Sequence, residues 1–399
     1  MLPTLPRTRA WMALAVLLLY PLTASAEGLA IYGTWELAGE EQPLPGAEDV
    51  MATRWTAVRP PAGAYDRIGL NRYRGPGTAT AALLYLPGTN MNGQVAITDE
   101  DHNLWLFLAR RGVTVFTLDY RTHALPATDL ADPAVLRDWT AEAFAADVAA
   151  AAREARRLSG QERIFVGGFS RGVAFAYAQA AAHPQEVAGI VALDGFFKSS
   201  QPAGGFDRQA ALKAMAAAGR WAQDVGGSRG WQRRQEVMTA AAADPAAPAI
   251  GEQFASVGEQ VAQMLYRTWG GGGKLANAVD GYSSPQLLAR LLAGYDRYYP
   301  AVQDVDGAAL ASQEDDPASP LDDGWATLHT PVIYIGSTNI GASFLLDGIA
   351  SAVHCAGNNA AIHVLEGHGH LDILIGKNAR QLVYEPILAW LRANAPSAP

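Results

Sequence analysis

Residues 164–172 read IFVGGFSRG and contain the most informative pattern in the chain. The apolar run Ile164–Val166 predicts a buried strand, and a helical pattern begins at Arg171. Between them lies Gly-x-Ser-x-Gly, with Ser170 at its centre. A sharp strand–turn–helix connection lifts such a serine hydroxyl above the edge of a sheet, and the two glycines let backbone and helix approach closely. The pattern alone is weak evidence, so the predicted strand and helix around it carry the inference.

Strand and helix patterns alternate on both sides of this stretch. Most of the predicted strands are largely apolar, which is typical of a parallel sheet covered by helices on both faces. They are Ile68–Arg74, Thr80–Leu86, Val113–Leu118, Ile164–Val166, Val187–Leu193, Val332–Ile335 and Ala361–Leu365. The predicted helices are Leu104–Arg110, Pro133–Leu158, Arg171–Ala182 and Ala379–Arg392.

The middle of the chain has a different composition. Residues 198–324 are rich in Ala, Gln and Gly and show almost no strand pattern. Helical segments are predicted at Gln209–Ala222, Gly251–Thr268 and Pro285–Tyr295. A glycine pair at 226–227, a glycine run at 270–273 and several prolines separate them. We interpret this region as a helical insertion, with the glycines as possible hinges and the acidic run Gln313–Pro317 as its exit linker.

Four stretches resemble motifs of the α/β-hydrolase superfamily, particularly of its lid-bearing esterases and lipases. They are Leu86-Pro87-Gly88-Thr89, Leu118-Asp119-Tyr120-Arg121, Gly168–Gly172 and Glu366–Asp372. The resemblance covers about 54–194 and 325–391. It implies an α/β fold with a mostly parallel central sheet, helices on both faces and a helical lid after the sixth strand of that fold. The expected division is a hydrolase core at 27–197 and 325–399 and a cap or lid at 198–324, with a signal peptide at 1–26 inferred separately from the N-terminal sequence.

A serine nucleophile needs a base, and the resemblance implies that this base is a histidine. His370 lies just beyond the last predicted strand, where the triad histidine of the superfamily sits, and the small Gly369 precedes it as in the family pattern. The competing residue is His368, which would otherwise be a loop histidine bonded to nearby backbone.

The acid of the triad is harder to assign. At the position where the family usually carries it, in the loop after Val332–Ile335, this chain has Asn339. A neutral amide can orient an imidazole but cannot stabilise an imidazolium by charge. Two replacements are available, namely Asp194 at the end of the preceding strand and Asp347 further along. Asp194 is the preferred candidate, Asp347 is the alternative, and the possibility that neither is the acid stays open.

The tetrahedral intermediate of acyl transfer needs two donors aimed at its oxyanion. One is expected to be the backbone N–H of Arg171, because it follows the nucleophile at a helix N-terminus. The other is expected from the loop after Thr80–Leu86, with the Thr89 N–H as first choice and Asn90 as second. Gly88 would allow that loop to pass close to the substrate carbonyl.

Composition limits the partners of the protein. The chain has 399 residues, of which 49% are hydrophobic and 17% charged, with a formal net charge of −9. A collagen-like, coiled-coil or mainly disordered protein is excluded, and the acidic balance argues against nucleic acid as a partner. The only cysteine, Cys355, excludes an internal disulfide and a cysteine zinc cluster. We expect no metal and no organic cofactor.

The N-terminus has the pattern of an export signal. Arg7 and Arg9 precede the apolar run Trp11–Tyr20, and the small residues Ala24-Ser25-Ala26 follow. The apolar run is about ten residues long, whereas a membrane span needs roughly 20. We therefore expect cleavage after Ala26, a mature protein without a membrane span, and a secreted or periplasmic location.

These inferences predict an exported serine hydrolase that cleaves a small-molecule carboxylic ester through an acyl-enzyme. A serine peptidase or amidase on the same scaffold is one alternative. The other is a degenerate hydrolase that serves as a binding protein, for which Asn339 is the only support. The oligomeric state stays open.

Overall fold

In the computed structural model of the protein, the described residues are 34–202, 205–251, 254–262, 282–313 and 319–396. The predicted signal peptide at 1–26, the glycine run at 270–273 and residues 314–317 of the predicted acidic linker lie outside these ranges. No helix within the described ranges is long and apolar enough to cross a membrane.

The described residues form one large sheet and one small sheet. The strands are β1 (Glu36–Leu44), β2 (Ala47–Val58), β3 (Arg67–Arg74), β4 (Ala81–Leu86), β5 (Val113–Asp119), β6 (Ile164–Phe169), β7 (Val187–Leu193), β8 (Ala222–Asp224), β9 (Tyr298–Pro300), β10 (Val332–Ser337) and β11 (Ala361–Leu365). The large sheet has the order β1-β2-β3-β5-β4-β6-β7-β10-β11. Its first three pairings are antiparallel and the remaining five are parallel. The mostly parallel sheet predicted from the sequence is therefore confirmed.

Besides the helical residues 257–262, ten α-helices surround or extend this sheet in the described part of the chain. They are α1 (Leu104–Ala109), α2 (Ala141–Ser159), α3 (Arg171–Ala182), α4 (Arg208–Ala217), α5 (Trp231–Ala243), α6 (Pro285–Ala293), α7 (Val302–Ala311), α8 (Ala342–Ala356), α9 (Asp372–Ile375) and α10 (Glu385–Ala393). A π-helical turn, Arg380–Tyr384, leads into α10.

Two apolar clusters lie on opposite faces of the large sheet. Successive residues of a strand point to opposite faces, and in β4 Leu83 belongs to one cluster and Leu84 to the other. The first cluster includes Phe107 of α1 and Leu391 of α10, and the second includes Phe144 of α2. Burial on both faces explains why the inner parallel strands are mainly apolar, whereas the edge strand β11 exposes alternate residues.

Two predicted helices differ from the observed ones for identifiable reasons. The predicted helix Pro133–Leu158 is a short 3-10 turn followed by α2, because the Thr140 side chain accepts from Ala143 N at 3.2 Å and caps a new helix. The predicted closing helix Ala379–Arg392 begins instead as the π-helical turn, and Pro386, which lacks an N–H, lies in the first turn of α10.

The hairpin of β1 and β2 was not predicted. β2 alternates buried and less buried residues over its second half, with Trp55 and Ala57 buried. That period-2 pattern was available in the sequence, but it covers only the second half of the strand and is preceded by the adjacent charged residues Glu48 and Asp49.

The segment between β7 and β10 contains α4 to α7 together with the antiparallel pair of β8 and β9. The sequence did not predict β8 and β9 within the helical insertion, since strands of three residues carry no readable periodicity. At the base of this segment the buried Lys198 ammonium pairs with Asp322 and donates to the Leu310 carbonyl at 2.8 Å. The role of the segment between β7 and β10 as a lid stays a prediction.

Candidate active site

Ser170 occupies a sharp turn between β6 and α3. Its φ of 55° and ψ of −122° place a non-glycine residue in a conformation that costs energy and that surrounding structure must maintain. Two backbone hydrogen bonds do so, since Ser170 N donates to Leu193 O at 2.9 Å and Val173 N donates to Ser170 O at 3.0 Å. The serine is partly exposed, so its hydroxyl is accessible at the end of the sheet.

The two glycines of the pattern are required by close packing. A Cβ on Gly172 would collide with the Leu86 carbonyl oxygen and lie 2.8 Å from that of Pro87. A Cβ on Gly168 would collide with the backbone of Gly172. Glycine at both positions therefore lets the start of α3 pack directly on the end of β4.

His370 lies in the loop after β11 and is 1% exposed. Its Nδ1 is 2.8 Å from Oδ2 of Asp194. Its ring stacks on Phe169, the residue before the serine, with ring centroids 4.3 Å apart. The hydrogen bond through Nδ1 orients the imidazole and leaves Nε2 as the nitrogen that carries the lone pair in the neutral ring.

Asp194 follows β7 and is completely buried. Besides His370, its carboxylate binds Ser337 at the end of β10, with Ser337 N 2.8 Å from Oδ1 and Ser337 Oγ 2.6 Å from Oδ2. Asp194 itself has a positive φ of 46°, and its N–H donates to Ile335 O at 2.8 Å. The carboxylate is thus held rigidly, and Ser337 is a site residue that the sequence did not single out, because a serine at a strand end has no distinctive spacing.

The alternative acid, Asp347, binds a different part of the chain. Its Oδ1 accepts from the backbone N–H of Ser200 at 2.6 Å, the Ser200 hydroxyl at 2.7 Å and the Ser199 hydroxyl at 3.2 Å. These bonds connect α8 with the segment that follows β7. The geometry therefore joins His370 to Asp194, the preferred candidate from the sequence.

Asn339 and His368 both support the loop that carries His370. Asn339 N donates to His368 O at 3.1 Å, and its side-chain amide donates to Gly367 O at 2.8 Å. The His368 ring stacks on Tyr282 at 3.6 Å between centroids, and its Nδ1 lies 2.9 Å from Glu366 O. His368 is therefore fixed within the loop, as expected for a loop histidine bonded to backbone.

Asp372 stabilises the same loop from its other side. Its carboxylate accepts from Gly369 N at 2.8 Å and from the Ser283 hydroxyl at 2.6 Å. Burial raises the pKa of this carboxyl and outweighs both hydrogen bonds. In the described ranges, no group of three or more His, Cys, Asp or Glu side chains has an arrangement that could hold a metal ion.

The predicted oxyanion donors lie around Ser170. A Cβ on Gly88 would be 3.2 Å from Ser170 Cβ, so the loop after β4 passes directly beside the serine. Thr89 follows and is partly exposed, and no acceptor for its backbone N–H is found within the described residues. Arg171 is the first residue of α3, where helix geometry leaves the N–H without an intrahelical partner.

Asn90 joins the loop after β4 to the segment before β9. Its φ is 61°, its carbonyl accepts from Asp296 N at 2.7 Å, and its side-chain amide donates to Asp296 O at 2.9 Å. The Arg171 guanidinium likewise pairs with Asp304 of α7 at 3.2 Å. The segment between β7 and β10 therefore contacts Arg171 and the residue that follows Thr89.

A cavity of about 250 Å³ lies beside this loop. Its wall includes Met91, Trp105, Tyr295 and Leu374. Ser170 and His370 are not part of the wall, so the cavity adjoins the candidate site without containing it. Of the tyrosines near β9, Tyr295 lines the cavity and Tyr299 packs inside, bonded to Gln303 at 2.5 Å.

Comparison with known proteins gives a family match and a structural one. Residues 146–209 match the family model described as Phospholipase/Carboxylesterase. The structure of a candidate lipase from Sulfolobus solfataricus superposes with a TM-score of 0.73 at 25% sequence identity, covering 91% of this chain and 99% of that one. Among curated proteins, none matches this sequence significantly.

Two further structures are more distant. An esterase from Thermogutta terrifontis has a TM-score of 0.41 at 15% identity, with 84% and 97% of the two chains covered. Monoglyceride lipase from Saccharomyces cerevisiae has a TM-score of 0.42 at 14% identity, with 83% of this chain and 93% of that chain covered. Neither similarity is close enough to bear on function.

The strand order, the serine turn and the similarity to the Sulfolobus protein place this chain in the α/β-hydrolase superfamily.

Proposed function

We propose that the protein is an exported serine hydrolase that cleaves carboxylic esters through an acyl-enzyme. The observation that carries this proposal is the buried 2.8 Å hydrogen bond between Asp194 and His370, whose ring stacks on the residue before Ser170. Strained backbone at Ser170 adds support, because strain of this kind is concentrated at functional sites.

In this proposal Ser170 Oγ attacks the ester carbonyl while His370 Nε2 takes the hydroxyl proton. The backbone N–H groups of Thr89 and Arg171 stabilise the resulting oxyanion. The C–O bond to the alcohol then breaks, and the alcohol leaves with the proton from His370. Water attacks the acyl-enzyme with His370 as base, releasing the carboxylic acid and restoring Ser170.

Asp194 has the role of the acid. Its carboxylate holds His370 through Nδ1 and stabilises the imidazolium that forms when Nε2 takes the proton. The two bonds from Ser337 keep the carboxylate in one orientation, so little reorganisation is needed during the reaction.

An ester substrate is favoured over an amide by the matched family description and by the lipase assignment of the Sulfolobus protein. Export is supported by the N-terminal sequence, in which Arg7 and Arg9 precede the apolar run Trp11–Tyr20. Mass spectrometry of the protein from a bacterial culture tests it, since export predicts a mature N-terminus at Glu27 outside the cytoplasm.

The test of function is hydrolysis of p-nitrophenyl esters from acetate to palmitate by the mature chain. Ser170→Ala and His370→Gln should abolish turnover, whereas His368→Gln, a matched change in the same loop, should retain it. A fluorophosphonate should label the wild type on Ser170. Unchanged turnover in Ser170→Ala would refute the serine mechanism, and hydrolysis of aminoacyl amides without esters would instead indicate a peptidase or amidase.

A further inference from the structure

The cavity lies beside the loop after β4, which passes next to Ser170, and beside the segment that follows His370. Met91 in its wall donates its N–H to Gly88 O at 3.0 Å, and Gly88 packs against Ser170. Leu374, also in the wall, comes four residues after His370. A group attached to a carbonyl at Ser170 would therefore have this cavity next to it.

The wall of the cavity is mainly apolar, with Trp105, Leu291 and Tyr295 among its members. No Arg, Lys, Asp or Glu occurs among the described lining residues. A charged ligand would lose its hydration there without gaining an opposite charge, which is costly. The wall is therefore suited to an uncharged group.

The two histidines of the wall already have protein partners. His102 Nδ1 lies 2.9 Å from Ile375 O. His123 Nδ1 lies 2.8 Å from Asp296 Oδ1, and its Nε2 is 2.8 Å from the Gln94 amide nitrogen. The Asp296 carboxylate bonded to His123 compensates the positive charge of a protonated ring, so a protonated His123 adds polarity but no net charge to the cavity.

The cavity volume limits the size of its ligand. A protein cavity of about 150 Å³ binds benzene, and scaling by volume gives roughly ten non-hydrogen atoms for this cavity of about 250 Å³. A palmitoyl chain is too large to fit within it. We propose that the cavity binds one substituent of the ester carbonyl, a compact uncharged group such as a single aromatic ring or a medium-length alkyl chain. This inference rests on the proposed function and narrows its substrate class.

Gly294 offers a way to fill the cavity without disturbing the fold. It lines the wall, its φ of −80° suits any residue, and a Cβ there would lie 3.5 Å from Leu291 O and 3.6 Å from Ala96 Cβ. Gly294→Leu should therefore reduce the free volume, and Leu291→Ala should enlarge it. Gly39→Leu is the matched control, because a Cβ on this β1 residue meets nothing within 4 Å.

The experiment measures kcat/KM for p-nitrophenyl esters of increasing acyl length and for acetate esters of increasing alcohol length. In one of the two series, Gly294→Leu should lower kcat/KM about 10-fold or more for the ester with an eight-carbon chain. For an acetate ester of a short alcohol, kcat/KM should change less than about 2-fold. Leu291→Ala should shift the optimum to longer chains in that series. Gly39→Leu should match the wild type.

The two ways of failing can be told apart. Hydrolysis with unchanged length profiles in both cavity variants would overturn the inference and leave the proposed function intact. Absence of ester hydrolysis by the wild type would contradict the proposed function. The cavity is tested independently by calorimetric binding of benzyl acetate to Ser170→Ala and to Ser170→Ala/Gly294→Leu. Tighter binding to the first supports the inference, and equal or absent binding to both overturns it.

Discussion

Asn90 and Asp296 are hydrogen-bonded in both directions across more than 200 residues of sequence. Asp296 N donates to Asn90 O at 2.7 Å, and the Asn90 side-chain amide donates to Asp296 O at 2.9 Å and to Arg297 O at 3.4 Å. Asn90 is 7% exposed and has a φ of 61°. These bonds fix the backbone immediately after Thr89, the predicted oxyanion donor, so the segment before β9 helps to hold this loop in place.

We therefore expect Asn90→Asp to lower kcat with little change in KM. The substituted carboxylate has nearly the same shape but faces two carbonyl oxygens, which should displace the loop and the Thr89 N–H. Loss of one oxyanion donor typically costs about 10²-fold in kcat. Steady-state kinetics on a short-chain ester measure the effect.

Asn394→Asp is the matched control, since the Asn394 amide donates to Trp390 O at 2.9 Å at the end of α10. It should retain wild-type kinetics. If Asn90→Asp raised KM while leaving kcat unchanged, the Asn90 bonds would serve substrate binding rather than orientation of the oxyanion donor.

The choice of acid can be tested by paired substitution. Asp194→Asn removes the charge next to His370 Nδ1, and we expect kcat to fall about 10³-fold or more while the protein stays folded. Asp347→Asn changes a carboxylate that binds Ser199 and Ser200, so its kcat should stay close to that of the wild type. A large loss in Asp347→Asn alone would reverse the assignment.

Ser337 should act as a positioning residue. Ser337→Ala removes the hydroxyl donor to Asp194 Oδ2, which leaves the carboxylate a stronger acceptor for His370 Nδ1. The acidic limb of the pH–kcat/KM profile should then move to higher pH, because a protonated His370 becomes more favourable. Ser337→Thr keeps the hydroxyl and should restore the wild-type profile. A merely structural role would lower stability without moving that limb.

The central sheet could be predicted because buried parallel strands and helix caps are local signals. Arg171–Ala182, Val187–Leu193 and Ala361–Leu365 have the predicted boundaries. The strand order, by contrast, depends on contacts distant in sequence, which local patterns do not specify. Short elements such as β8 and β9 form because of pairing with each other, which no local pattern specifies.

In the candidate site, too, some residues could be predicted from local sequence and others only from three-dimensional contacts. Ser170 and His370 stand next to distinctive glycines and were predicted, whereas the choice between Asp194 and Asp347 needed the three-dimensional contact to His370. The contributions of Ser337 and Asn90 are hydrogen bonds across 143 and 206 residues of sequence, and neither residue type signals them.

His123 predicts a pH dependence of stability. Burial lowers its pKa, but the hydrogen bond to Asp296 and the charges of Asp119 and Asp296 outweigh burial, so the pKa is raised above its ordinary 6.5. The stabilisation by the Asp296 pair is thus fully present below about pH 6.5 and is lost as pH rises through the higher folded-state pKa.

His123→Gln should therefore lower Tm more at pH 6 than at pH 9, as measured by calorimetry. His329→Gln, at an exposed histidine, should leave the Tm difference between the two pH values unchanged. An equal loss at both pH values in His123→Gln would show that the ring contributes by packing and not through its charge.

Gly172 should be the position of the serine turn least tolerant of a side chain. In Gly172→Ala the new Cβ would collide with the Leu86 carbonyl oxygen, and neither β4 nor α3 can move without disturbing the sheet around Ser170. We expect a loss of about 3 kcal/mol in the free energy of unfolding. Gly39→Ala adds the same methyl group where nothing lies within 4 Å and should change Tm little. A stable Gly172→Ala protein with wild-type kinetics would mean that α3 does not need this close approach to β4. Packing would then not be the reason for glycine at the last position of the Gly-x-Ser-x-Gly pattern.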